Sequence, residues 1–340
     1  MSRNSGVEAR FYEKLSGNVV KCHLCSHHCR IVEENRGLCG VRENRGGTLY
    51  SLVYGKLVSR AVDPIEKKPL FHVLPGSSAY SVATVGCNFQ CKNCQNWEIS
   101  QSPKPQGLIM GRETSPEETV KAAKMTGCKS IAYTYTEPTI FMEYAYDTAK
   151  LAVENGVKNV FVTNGYITEE ALKAIAPYLH AANIDLKSFS DEFYKETCGA
   201  RLQPVLEAIK LHKQLGIWIE VTTLILPTLN DSEENLLEIA TFIADVGVKI
   251  PWHVSGFYPA YQLIDLPPTP IETIRKARDI GLRAGLRYVY QGNVLGEGET
   301  TYCYRCGELL IERFGYRIIK NRVIESACPR CGAEIDGVLK

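Results

Sequence analysis

The chain is 340 residues long, 45% hydrophobic and 23% charged, a balance that suits one large globular domain with attachments. Its 39 basic and 38 acidic side chains leave a net charge of +1, which gives no global field to gather nucleic acid or an anionic membrane. No apolar run approaches the ~20 residues of a membrane span, and the opening MSRNSGVEARFYEKL lacks a signal peptide's apolar core, so no membrane contact and a cytoplasmic location are expected.

Residues 1–75 are predicted to form an N-terminal cysteine-rich segment with its connector. Cys22, Cys25, Cys29 and Cys39 stand close together, with His23, His27 and His28 among them. Four cysteines, or three and a histidine, suit zinc; a second iron–sulfur cluster relaying electrons is the rival. Arg30, Arg36, Arg42 and Arg45 nearby read as a solvated face. The proline-punctuated stretch DPIEKKPLFHVLPG (63–76) reads as the connector.

Residues 76–297 carry a different texture. Short β-branched runs predict strands at 79–86, 130–136, 159–163, 181–187, 217–226, 252–258 and 287–291. Stretches with apolar residues at three-to-four spacing predict helices at 115–125, 139–155, 168–179, 202–215, 232–246 and 270–285. Three of these open with Ser or Thr followed by acidic residues, the signature of a helix start. Strand–helix alternation predicts an α/β fold, a partial or full (β/α) barrel with cysteine-rich metal-binding additions at both ends. Chemistry in such folds sits at the carboxyl ends of strands. Polar residues gather there in this chain: Cys87, Glu137, Asn164, Asp185 with Lys187, Thr222 with Thr223, His253 with Tyr258, and Gln291 with Asn293.

Cys87, Cys91 and Cys94 follow the first of these strands with the spacing C-x3-C-x2-C. A cubane cluster usually takes four cysteines. Three thiolates on one loop hold three irons and leave the fourth open to a small molecule. The spacing differs from the C-x2-C of zinc sites, which is the alternative for this triplet.

Residues 298–340 contain Cys303-x2-Cys306 and Cys328-x2-Cys331, each pair followed by glycine, with two strand-like runs between them. This is a zinc-ribbon pattern, for which rubredoxin-like iron is the alternative. Thirteen cysteines in 340 residues fall short of a disulfide scaffold, and in a reducing compartment clustered cysteines are more often metal ligands. Cys128 and Cys198 stand apart and read as buried or incidental.

The segments GCNFQCKNCQNWEISQ, YTYTEPTIF, TNGYI, NIDLKSF, WHVSGFYPAY and YVYQGN resemble the radical SAM superfamily. Within it they are similar to the branch of pyruvate formate-lyase activating enzymes, and most similar to the AmmeMemoRadiSam-system radical SAM enzymes. The resemblance implies a [4Fe–4S] cluster on Cys87, Cys91 and Cys94 that reductively cleaves S-adenosylmethionine (SAM) to a 5′-deoxyadenosyl radical. An oxidoreductase fed by ferredoxin or flavodoxin follows, with hydrogen abstraction from an unidentified substrate; a glycine on a partner protein is the guess by branch. Glu137, Asn164, Asp185, Lys187 and His253 stand where the family's SAM contacts lie. The position before the last cluster cysteine, usually aromatic, is Asn93 here, so Phe89 or Trp97 is expected near the adenine. The usual glycine-rich turn before Glu137 is Thr134-Tyr135-Thr136. The competing function is a zinc-binding adaptor or nucleic-acid module with the barrel as scaffold; it leaves the central triplet and the polar strand ends unexplained, and near-zero net charge speaks against nucleic acid.

Overall fold

β-Branched runs that are apolar on both faces need cover on both sides, and the amphipathic stretches between them supply it on one. The computed structural model, which describes residues 6–294 and 296–339, resolves this alternation into one eight-stranded sheet. Residues 1–5, 295 and 340, included in the expected segment boundaries, lie outside the described residues. The strands are β1 (Ser59–Pro64), β2 (Ser78–Ala83), β3 (Ser130–Tyr133), β4 (Lys158–Thr163), β5 (Ala181–Asp185), β6 (Trp218–Ile225), β7 (Trp252–Gly256) and β8 (Val289–Gly292). β2 to β8 are parallel and stand side by side in chain order. The crossover helices are α1 (Pro116–Met125), α2 (Met142–Glu154), α3 (Glu169–Ile175), α4 (Leu202–Gln214), α5 (Glu233–Gly247) and α6 (Ile271–Arg283). The start of α1 is a full capping box: Ser115 Oγ accepts from Glu118 N while Glu118 accepts from Ser115 N.

One feature differs from the sequence expectation. The sheet begins within the expected N-terminal segment, just before the connector, because β1 pairs antiparallel along the whole of β2 from Ser59↔Ala83 to Pro64↔Ser78. Of the partial and full barrels expected, the partial one forms. β1 and β8 are its two edges, and the chain after β1 fills the interior between them. Pro69 O accepts from Asn183 Nδ2 at 2.9 Å, while Phe71 N and His72 N donate to Glu220 at 3.0 and 2.8 Å. His72 also bonds Tyr290 of β8 at 2.7 Å. Buried polar groups demand partners, and here side chains of β5, β6 and β8 supply them to a non-repetitive strand of chain.

The C-terminal residues form a three-stranded antiparallel ribbon, β9 (Thr301–Tyr302), β10 (Leu309–Phe314) and β11 (Arg317–Asn321), with its own apolar cluster. It docks on the filled seam. Arg313 is fully buried there, donating to Phe71 O and Thr301 Oγ1 at 2.8 Å each. The tail returns as a bridge between Val338 and Val73. At the other end, the N-terminal residues form two small antiparallel sheets packed into the same core as the barrel. The Arg42–Glu143 ion pair, 3.0 Å and almost wholly buried, ties them to α2.

Candidate active site

The loop after β2 is built around Gly86. Its φ is +100°, and a Cβ there would lie 2.6 Å from Val41 Cγ1 and 3.0 Å from Cys39 O, so only glycine fits. Cys87, Cys91 and Cys94 follow on that loop and line one cleft of about 480 Å3, a volume ordinary for a small-molecule site. Asn88 anchors the loop: its Oδ1 accepts from Asn164 Nδ2 at 2.8 Å and its Nδ2 donates to Tyr166 O at 3.3 Å. Ser100 Oγ lies 3.3 Å from Cys94 Sγ. Lys104 Nζ donates to Phe89 O at 2.9 Å; burial pushes its pKa down while the nearby thiols act the other way.

Phe89, Asn93, Glu137, Asn164, Asp185 and Lys187 line the same cleft. Glu137 is buried and fully engaged. Its Oε1 accepts from Thr139 N, Thr139 Oγ1 and Thr163 Oγ1 (3.0, 2.6 and 2.7 Å), and its Oε2 from Asn164 N at 2.8 Å. Burial pushes its pKa up against those four bonds. The carboxylate therefore stitches the ends of β3 and β4 together. Lys187 Nζ bonds Asp185 Oδ2 at 2.9 Å. Burial would lower the lysine's pKa, but Asp185, Cys91 and Cys198 outweigh it and raise it well above the ordinary value. The ammonium thus stays charged beside the thiols.

The structure does not bring His253 to this cleft. Its Nε2 lies 2.7 Å from Glu220 Oε2, and its ring packs on Phe71 and Tyr290 in the filled interior. The sequence placed it at a strand end but gave no sign that residues 69–74 would occupy the space it faces. Trp97 stands outside the cleft lining, half exposed and stacked on Tyr261 at 5.0 Å. Thr222, Thr223, Tyr258, Gln291 and Asn293 also fall outside the lining.

Several cleft residues were not foreseen. Tyr135 adopts φ +65°, the conformation that the usual glycine would favour. Its hydroxyl donates to Asp63 and Lys68 Nζ sits 4.3 Å over its ring, which fixes the strained turn. Asp63 also accepts from Lys68 and Ser81 at 2.7 Å each and Lys67 at 2.9 Å. Burial alone would raise this carboxyl's pKa; those donors hold it well below the usual range. Tyr316, from the ribbon, reaches the cleft wall. Cys198 is buried against Cys91, and its hydrogen bond pulls the Cys91 thiol below its ordinary pKa in spite of burial.

Residues 81–240 match the model of the radical SAM superfamily. An uncharacterised protein of Methanocaldococcus jannaschii is 53% identical over 98% of this chain and 99% of its own. The chain belongs to the radical SAM superfamily. The pyruvate formate-lyase-activating enzyme of Clostridium pasteurianum is 26% identical over 57% of this chain and 83% of that enzyme. A crystal structure of a domain of the corresponding Bacteroides vulgatus enzyme aligns with 48% of this chain and 99% of its own at TM-score 0.42 and 18% identity. Radical SAM membership implies a [4Fe–4S] cluster and SAM as cofactors. The cleft fits a polar ligand beside the thiols: buried Asn93 Oδ1 has no hydrogen-bond partner among the described residues, an acceptor left over on the cleft wall.

The four ribbon cysteines converge within 4.8 Å of one another. Cys303 Sγ–Cys331 Sγ is 3.6 Å and Cys306 Sγ–Cys328 Sγ is 3.7 Å. Metal–thiolate bonds of ~2.3 Å around a tetrahedron give edges of about 3.8 Å, so the set suits a single ion.

Proposed function

We propose that this protein binds a [4Fe–4S] cluster through Cys87, Cys91 and Cys94 and cleaves SAM reductively, using the radical to remove hydrogen from a second substrate. The observation that carries the reading is the meeting of three thiols, a charged lysine and an unpaired buried acceptor in one cleft. When bound, the cluster supplies one electron to the SAM sulfonium, releasing methionine and a 5′-deoxyadenosyl radical.

The protein's part is positioning and charge. Lys187 offers its ammonium to the SAM carboxylate, with Asp185 holding it in place. Asn93 Oδ1 accepts from an amino group of SAM, a role that an aromatic residue there could not fill. Phe89 contributes an apolar wall, held by Tyr166 at 5.2 Å. Glu137 acts through its neighbours by setting Asn164, which in turn holds the cysteine loop.

The electron donor proposed is a ferredoxin or flavodoxin. Distant relatives include activating enzymes, among them a putative glycyl-radical enzyme activating enzyme at 23% identity, so a glycine of a partner protein is the proposed substrate class. The ribbon is proposed to hold zinc, and residues 76–297 to form the catalytic unit between the two cysteine-rich additions.

The test is anaerobic reconstitution followed by SAM and dithionite. The wild type should yield 5′-deoxyadenosine, and Cys91→Ala should yield none. A wild type with a full cluster and no 5′-deoxyadenosine would sink the reading. S-adenosylhomocysteine as the product would replace it with methyl transfer.

A further inference from the structure

Cys22, Cys25, Cys29 and Cys39 come from a hairpin and the loop after it, and all four line one enclosed cavity. Leu24, Ile31 and Ile140 complete its apolar walls. Among the described residues, the ribbon cysteines form the group whose ligand atoms all lie within 4.8 Å of one another, and the N-terminal four, though they line one cavity, form no such close group. A single ion draws four thiolates to tetrahedral edges of about 3.8 Å, whereas a cubane core holds them further apart.

Of the segment's histidines, His27 lines the cavity with its Nε2 already engaged, while His23 and His28 stand outside the lining. His27 Nε2 bonds Asn88 O at 2.8 Å, His23 Nε2 lies 3.2 Å from Glu13, and His28 packs edge-on against His23. A second observation concerns Arg42, which borders the cavity. Its terminal nitrogens hold Glu143 and Arg10 O, but its buried Nε has no partner among the described residues. A spare N–H beside four thiolates is the donor that a cluster sulfur accepts from.

The cavity lies directly behind the SAM-site loop. His27 touches Asn88, immediately after Cys87, and Cys39 O abuts Gly86, immediately before it. We propose that Cys22, Cys25, Cys29 and Cys39 hold a second [4Fe–4S] cluster, ligated on all four irons and closed to SAM, that relays electrons to the cluster on Cys87, Cys91 and Cys94. A low-potential ferredoxin or flavodoxin gives one electron and takes the second cluster from the 2+ to the 1+ state. Passing that electron to the SAM-site cluster returns it to 2+. The relay rests on the proposed SAM cleavage; the metal assignment does not.

Metal analysis of the anaerobically reconstituted full chain tests the assignment without a variant. About eight irons and one zinc per chain are expected, whereas about four irons and two zincs overturn the proposal. The triple variant Cys87→Ala, Cys91→Ala, Cys94→Ala should keep about four irons and a reduced electron paramagnetic resonance signal that SAM leaves unchanged; loss of all iron overturns it. Freeze-quenching the wild type during reduction by a flavodoxin hydroquinone tests the relay. The SAM-insensitive signal should rise first, and the reverse order overturns the relay. Failure of the SAM-cleavage reading looks different: about eight irons are present but no 5′-deoxyadenosine forms.

Discussion

Glu137 and Asp63 are both carboxylates beside the cleft, yet they do opposite things. Glu137 is buried with every near donor uncharged, so burial wins and its pKa rises. Glu137→Gln puts an amide where an oxygen accepts from Asn164 N or from the two threonines. A loss of about 1–3 kcal/mol in denaturant unfolding of the apoprotein is expected, because a buried donor is left facing a donor. An unchanged midpoint would mean the carboxylate does not fix these strand ends. Asp63 is held by two lysines, a tyrosine and a serine, so its folded pKa lies below the unfolded value. Its contribution is therefore complete above the unfolded pKa of ~3.9 and lost as pH falls through the folded one. The stability gap between wild type and Asp63→Asn should be constant near neutral pH and shrink steadily below about pH 4. A gap that widens on acidification would contradict the assignment.

At the scale of elements, the cysteine loop depends on its glycine more than on its neighbours. Gly86→Ala meets both a left-handed φ and contacts of 2.6 and 3.0 Å. A cost of about 1–3 kcal/mol and a several-fold drop in bound iron are expected, read by unfolding and iron analysis. Full iron loading would show that the loop relaxes around the new methyl. The strands and helices themselves were legible in the sequence. All seven predicted strands and six predicted helices form with ends shifted by a few residues, because alternating texture and Ser/Thr caps are local signals. β1 was not legible: its SRAVDP pairs as an edge strand that ends in proline, and its last two residues read locally as the start of the connector.

At the scale of the whole molecule, the C-terminal ribbon is part of the barrel's closure. Arg313 fills the seam, Asp336 accepts from Arg287 at 2.7 Å, and Tyr316 reaches the cleft. The ribbon's own core is small, so the metal proposed on its four cysteines would hold it folded, with ~10–16 kcal/mol of binding. Cys328→Ser should therefore expose residues 298–340 to limited proteolysis and also lower the barrel's unfolding midpoint. Cleavage of the ribbon with an unchanged barrel midpoint would show that the seam holds without it.

The sequence by itself determined the α/β class, the order of strands and helices, the three cysteine sets and part of the cleft. Cys87, Cys91, Cys94, Glu137, Asn164, Asp185 and Lys187 were all found because strand ends converge and local periodicity locates strand ends. Only the tertiary structure decided what those groups face. It turned His253 toward Glu220, filled the interior with residues 69–74, set Cys198 beside Cys91 and placed Cys39 against Gly86. These are contacts between segments far apart in the chain, fixed by the packing and hydrogen-bond demands of a shared interior, and no local pattern carries them.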